Sequence, residues 1–283
     1  MRSPIELSKH YKKVNENLAG FKWKLSRGQK KFDAKLRDGN ILKFGAREIG
    51  VLSIMALSRF KLRAVSEDYV SFIYGGRLLV FHGYQYGALT AAFHDYSWLD
   101  VKGKRVLDVG ANIGDTAVYF GLSAKEVVAF EPYPFTYALA NKNIRANAIN
   151  NVRIINAGVG KTDGEIVLTS GITTARTALR PSENGVKVKV LSLDNVIAKY
   201  GPFDAMKMDC EGCEYDALMN SKKIGQIRQI EVEYHYGPER IANRLIEEGF
   251  DVKIKRPKKL YLPYAKEPNT RVGYVYAKRD LSS

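Results

Sequence analysis

From Lys104 onward, short apolar runs alternate with longer stretches whose apolar positions recur at helical spacing. The runs predict strands over 104–109, 126–131, 152–157, 186–191, 203–209 and 228–234, with a final pair near 250–255 and 271–277. Helices are predicted between them, over 113–123, 133–148, 194–200, 213–221 and 237–249. This alternation makes a mostly parallel sheet covered by helices on both faces, an α/β fold. Upstream the pattern changes to hairpins. Phe32–Leu36 and Ile41–Phe44 flank Asp38-Gly39, and Val70–Tyr74 and Arg77–Phe81 flank Gly75-Gly76. Between the hairpins, 46–64 is predicted as a helix with Ile49, Leu52, Met55, Ala56 and Leu62 on its apolar face. Ala88–Trp98 is predicted as a helix leading into the main sheet. The expected organisation is a small α+β module over 1–98 and a larger α/β domain over 99–283.

The densest chemical signal follows the first strand of the larger domain: Asp108-Val109-Gly110-Ala111-Asn112-Ile113-Gly114-Asp115. It reads as a strand, a glycine turn and a helix start, with Asp115 or Thr116 suited to capping. The next strand ends in Glu131, placed to accept hydrogen bonds from two ribose hydroxyls. A dinucleotide fits poorly, because the turn reads G-x-N-x-G and Asp108 lies where a pyrophosphate would rest. Two like charges ~4 Å apart cost about 4 kcal/mol at an effective dielectric near 20. A cationic ligand with an adenosine half answers both carboxylates. S-adenosylmethionine has that charge distribution.

Two further clusters fall at strand ends, where ligands of such sheets bind. Met206–Glu214 is an apolar strand running into Asp209-Cys210-Glu211-Gly212-Cys213-Glu214. Glu211 and Glu214 are readable as first-turn residues of the following helix, and Glu214 also as a cap for backbone amides. Asp209, at the strand tip, is the expected functional carboxylate. Cys210 and Cys213 supply only two of the four ligands of a structural zinc site, and they read as small buried filler. In Glu231-Val232-Glu233-Tyr234-His235, alternation puts Glu231, Glu233 and His235 on one face, with His235 at or past the strand end. His235 is a candidate general base. Asp209, Glu233 and His235 together form a candidate divalent-cation set, but no ligand spacing is diagnostic and no metal is expected.

Charge divides the chain. Residues 1–65 carry 16 Lys and Arg against 5 Asp and Glu, a net of +11. Residues 251–283 carry 9 against 3, a net of +6, and the intervening core is close to neutral. Basic ends on a neutral core suit an anionic partner such as RNA or a lipid-linked phosphate; the alternative is a solvated, highly charged exterior. No apolar run reaches the ~18 residues of a membrane span. Two cysteines and a start without an apolar leader lead to the expectation of a cytoplasmic, reducing setting.

Asp108-Val-Gly-Ala-Asn-Ile-Gly-Asp115, Phe130-Glu-Pro132, Leu193-Asp194 and Lys207-Met-Asp-Cys-Glu-Gly-Cys-Glu214 resemble, in order and spacing, the FkbM-type S-adenosylmethionine-dependent methyltransferases. The resemblance covers about 100–235. It implies a Rossmann-like class I sheet of seven mostly parallel strands with the last antiparallel, and O-methylation of hydroxyls, often on sugars or natural products. By the same resemblance, Asp108, Gly110, Asn112 and Gly114, with Asp115 beside them, hold the methionine half. Glu131 takes the ribose, and Asp209–Glu214 borders the transfer site. Members commonly carry Ala or Val where Cys210 and Cys213 stand, in keeping with filler. Asp209, His235 and Glu233 are then the candidate catalytic residues, as base or as orienters of the acceptor hydroxyl. RNA methylation that uses the basic ends is the second expectation, and a non-catalytic binding protein on the same fold is the third. The N-terminal module lies outside the resemblance and is the candidate region for acceptor recognition.

Overall fold

The computed structural model describes residues 31–35, 41–45, 61–66, 68–83, 89, 92–169, 185–256 and 272–279. The chain divides into two compact units, Met1–Asp95 and Tyr96–Ser283. In the first, β1 (Lys31–Lys35) and β2 (Ile41–Gly45) pair antiparallel in the register expected of a hairpin. A second antiparallel sheet runs β3 (Lys61–Val65), β4 (Tyr69–Tyr74) and β5 (Arg77–His82). Its buried Leu62, Val70, Phe72, Leu79 and Phe81 alternate with more exposed positions, as a half-covered sheet requires. The end of the predicted 46–64 helix is corrected here. Lys61-Leu62-Arg63-Ala64-Val65 alternates with period two and pairs with β4, so Leu62 is a strand residue. The part of that helix over 46–60 lies outside the described residues.

The second unit opens at Tyr96, within a 3-10 turn over Asp95–Trp98. Its strands are β6 (Arg105–Val109), β7 (Glu126–Phe130), β8 (Val152–Ile155), β9 (Gly158–Gly160), β10 (Gly164–Thr169), β11 (Gly185–Ser192), β12 (Ala205–Met208), β13 (Gln229–Tyr234), β14 (Asp251–Lys255) and β15 (Gly273–Lys278). The helices are α1 (Asp115–Gly121), α2 (Pro134–Ala146), α3 (Leu193–Tyr200), α4 (Cys213–Asn220) and α5 (Glu239–Glu247). Seven strands form one sheet in the order β14-β15-β13-β12-β6-β7-β8. All its pairings are parallel except those of β15, which runs antiparallel to both neighbours. This is the Rossmann-like sheet of seven mostly parallel strands that the resemblance implies, with the last strand in chain order antiparallel. Its central strands are apolar nearly throughout because helices cover both faces; all four residues of β12 are buried.

Two expectations change. The 186–191 strand leaves the main sheet and pairs antiparallel with β10 and parallel with β9. Its alternation of Val186, Val188 and Val190 with Lys187 and Lys189 suits a ladder with one wet face, whereas a central parallel strand is apolar on both sides. Helix α1 starts after Gly114 without a side-chain cap. Asp115 lies buried one residue inside, against backbone N–H groups of the first turn, and the Thr116 hydroxyl is spent on Asp108.

Candidate functional site

The strand order reverses between β6 and β12, and ligands of such sheets bind at that switch point, beyond the carboxyl ends of the strands. On one side lies the glycine turn. Gly110 has φ 80° and donates its N–H to Phe130 O at 3.0 Å. A Cβ there would fall 1.8 Å from Asp209 O, so only glycine lets the turn pack against the tip of β12. Asn112 has φ 48°, a left-handed conformation that Asn tolerates better than most residues, which explains the middle position of G-x-N-x-G. Its backbone N–H donates to Glu131 Oε2 at 2.8 Å. Glu131 Oε1 accepts from Tyr133 N at 3.0 Å and from Thr136 Oγ1 at 2.7 Å. The Glu131 carboxylate is thus fixed at the tip of β7, beside the turn.

Asp108 does not face that switch point as a free carboxylate. It is fully buried, 3.2 Å from Lys207 Nζ through Oδ1, and it accepts from Thr116 Oγ1 at 2.6 Å through Oδ2. The same ammonium donates to Gly110 O at 2.6 Å and Val109 O at 3.2 Å. In the backbone register Lys207 on β12 lies directly across from Asp108 on β6 and from Glu231 on β13. Burial opposes the ammonium charge, yet Asp108, Asp209 and Asp115 outweigh it and hold the Lys207 pKa above that of an ordinary lysine. Asp108 thus has an internal counter-charge in Lys207, beside the turn to which the expectation assigns the ligand's methionine half. A lysine inside an otherwise apolar strand is itself the signal of a buried partner.

Asp209, Glu233 and His235 do come together, with ligand-type atoms within 4.8 Å of one another. The sequence pattern missed what joins them. Tyr96, almost fully buried, places its hydroxyl 3.0 Å from Asp209 Oδ2 and 3.0 Å from Glu233 Oε2. A phenol has one proton to donate, so a second proton completes the bridge. Burial, with the neighbouring Asp209 charge, pushes Glu233 up to about 8, so at neutral pH Glu233 supplies it. Tyr274, paired with Glu233 across β13 and β15, also bonds to that carboxyl.

His235 follows β13 and is held on both nitrogens. Nδ1 lies 2.9 Å from Glu214 Oε1; Nε2 lies 3.3 Å from Glu211 Oε2 and 3.9 Å from Asp209 Oδ1. Burial works against its charge, but the hydrogen bond to Glu214 and the surrounding carboxylates raise its pKa to about 9. Raised to that value, His235 carries charge at neutral pH and pairs with the carboxylates around it, which bears on the expectation of a general base there. Glu214 caps backbone as expected, accepting from Gly212 N at 2.9 Å. Glu211, with φ 57°, precedes α4 and is no first-turn residue.

Cys210 and Cys213 are not filler thiols. Their Cα atoms lie 5.5 Å apart, within bridging range, and the side chains form a disulfide across the turn into α4. The bond removes the support that two thiols lent to a reducing setting. It also ties up the sulfurs of the other cation-type cluster, Cys210, Cys213 and Glu214. Asp194 holds the far end of α4, accepting from Ser221 Oγ at 2.6 Å and from the backbone N–H groups of Lys222 and Lys223.

These charges give one pH prediction. Asp115 and Glu131 rise to about 7 and Glu233 to about 8, chiefly through burial, so the folded state keeps protons that the unfolded chain has already lost. Their share of stability falls as pH climbs through those values. His235, raised to about 9, stabilises fully below its unfolded pKa of ~6.5 and loses that share as pH passes 9. All four act in the same direction. The cofactor-free protein is expected to melt several degrees lower at pH 9 than at pH 6, and Glu233→Gln should flatten the slope by up to about 1.4 kcal/mol per pH unit. A melting temperature that rises over this range, with the same slope in the variant, would contradict the assignment.

Among the described residues, no helix is long and apolar enough to cross a membrane. A family model described as the methyltransferase FkbM domain matches residues 108–254, the segment that contains every residue of the site except Tyr96 and Tyr274. An uncharacterised protein of Methanocaldococcus jannaschii is 35% identical over 74 residues, which are 25% of this chain and 29% of that protein; the chain thus matches under a third of that relative's length. Among solved structures, the chain is similar to a methyltransferase FkbM from Methylobacillus flagellatus KT, with TM-score 0.47 and 14% identity over 67% of this chain and 47% of the other. It is also similar to M. jannaschii TYW2 in complex with AdoMet, with TM-score 0.42 and 17% identity over 76% and 87%.

Proposed function

The chain belongs to the FkbM methyltransferase family, by a match over just over half its length, and from that premise we propose that it methylates a hydroxyl of a sugar, glycan or other small molecule. It is a methyltransferase that uses S-adenosylmethionine. The residues present suit that cofactor: Glu131 is fixed at the tip of β7, and the carboxylates of Asp209, Glu211 and Glu214 outnumber the His235 cation beside them, which favours a ligand with positive charge. The cofactor supplies an electrophilic methyl group on a positively charged sulfur, and the transfer leaves a neutral thioether.

The reading of a hydroxyl acceptor is carried by Asp209 at the end of the fourth core strand. A hydroxyl must lose its proton as it attacks, and a carboxylate held by Tyr96 and His235 is suited to accept it. Sites that methylate base amino groups carry an Asn-Pro-Pro-Tyr-like motif there, and this chain has Asp209-Cys210-Glu211-Gly212. Alignment of the acceptor and exclusion of water supply the remainder of the acceleration. Glu131 retains one acceptor site, on Oε2, beyond its three present donors and is assigned a ribose hydroxyl. Glu131→Gln is expected to weaken cofactor binding by about 10–100-fold in calorimetry, the loss of a charge-assisted hydrogen bond. The basic N-terminal residues, outside the family match, are assigned acceptor recognition.

The test is transfer of isotopic label from the cofactor into fractionated cell extract. Label in small-molecule or glycan fractions, stable to mild base, is the expected result. The net charges of +11 and +6 at the two ends favour RNA as a second reading, which label in the RNA fraction would establish instead. If no fraction gains label while the cofactor still binds, the protein is a binding module on a methyltransferase fold.

A further inference from the structure

The methyl-transfer site draws on the basic C-terminal segment through Tyr274 and not through its cations. That segment folds as β14 and β15, and at the amino-terminal end of β13 it lines a cavity of about 440 Å³, within the range of small-molecule pockets. Gln229 lies in its wall, four residues before Glu233 on the same strand, about 13 Å away at ~3.3 Å per residue. The cavity is therefore distinct from the transfer site.

Its lining combines two features. One is charge: Lys104, Arg228, Lys253, Lys278 and Arg279 face it against only Asp100 and Asp251. Lys104 binds Asp100 at 2.6 Å, Asp251 faces Lys278 in the backbone register, and Arg279 also donates to Glu248 O at 3.0 Å; five cations against two carboxylates leave the wall with a cationic surplus. The other is an aromatic wall. Trp98, half-buried, lies 4.9 Å from Tyr276 between ring centroids, and Tyr276 is stacked on Tyr274 at 6.2 Å. Cations alone would suit any anion. Cations beside a partly exposed indole suit an anion that carries a flat ring.

We propose that this cavity is a second ligand site, which takes a nucleoside phosphate with its base against Trp98 and its phosphate among Arg228, Lys253 and Arg279. The ligand comes either as a free nucleotide or as one unit of an RNA strand, and both share this chemistry. Uridine probes separate the site from the adenosine-binding crevice, and saturation with S-adenosylhomocysteine closes that crevice. UMP or hexauridylate is then titrated into the full-length protein at low salt, with calorimetry and tryptophan fluorescence as readouts. The chain has two tryptophans, so Trp98→Phe identifies the one that responds.

The expected result is saturable binding with quenched fluorescence. Trp98→Phe should abolish the quench, and Lys253→Glu/Lys278→Glu, both exposed positions, should weaken binding at least tenfold while S-adenosylhomocysteine still binds. Hexauridylate at least tenfold tighter than UMP, with affinity falling steeply in salt, would assign the site to an RNA strand; equal affinities would assign it to a free nucleotide. The proposal is overturned if neither probe binds, if pyrophosphate binds as well as UMP, or if the double variant binds undiminished. None of these outcomes bears on methyl transfer, so the two readings fail independently.

Discussion

Asp209→Asn is expected to slow methyl transfer by about 10²–10⁴-fold, the usual contribution of a general base, while cofactor affinity changes by less than about threefold. The substitution is close to isosteric and keeps an acceptor for the Tyr96 hydroxyl at 3.0 Å, so the bridge to Glu233 survives. What disappears is the capacity to take a proton. The residual activity should therefore rise with pH, because only acceptor already deprotonated by solvent remains competent. That slope separates a base from a residue that merely positions the acceptor, whose loss lowers the rate equally at every pH. His235→Gln should cost less, since an imidazolium with a pKa of about 9 holds Asp209 and carries no proton away at neutral pH. If Asp209→Asn retained the full rate on the labelled acceptor, the assignment of the base would be wrong, whatever the acceptor proved to be.

The contrast between Asp209 and Tyr96 shows where sequence reading succeeds. Asp209, Glu131 and Gly110 are local: each follows an apolar run that ends in a turn, and a strand tip in an α/β sheet points at the ligand crevice whatever the rest of the chain does. Tyr96 lies 113 residues from Asp209, at the end of an unremarkable aromatic turn, and only the closed sheet brings them together. No periodicity carries that information. His235 is an intermediate case. Its place past the end of β13 was legible, but its protonation depends on Glu211 and Glu214, which arrive from the turn into α4. The same limit explains β11. Its own alternation points to a half-exposed ladder, and only the folded chain shows that its antiparallel partner is β10 and not a strand of the main sheet. The disulfide was a matter of geometry as well: C-x-x-C spacing permits it, and only the path of the turn into α4 brings the two Cα atoms to 5.5 Å.

Lys207→Met is expected to be the most damaging single change for the fold. The ammonium is buried to within 1% of full enclosure and is the ion-pair partner of an Asp108 carboxylate with no exposed surface. Removing one member of such a pair leaves a desolvated charge with too little compensation, here only the Thr116 hydroxyl, and costs about 3–5 kcal/mol. At ~2–4 °C per kcal/mol this predicts a melting temperature lowered by roughly 10 °C. Lys207→Arg should not rescue it, because a planar guanidinium cannot occupy the space of an ammonium that reaches both Val109 O and Gly110 O. The decisive comparison is the double variant Asp108→Leu/Lys207→Met. With both charges gone, the desolvation penalty goes too, and much of the lost stability should return. Cofactor binding should not return with it, since the Gly110 carbonyl would still lack its donor and the turn its anchor to β12. Recovery of both together would mean that the pair serves the fold alone. Recovery of neither would mean that the damage arises elsewhere than in the uncompensated Asp108.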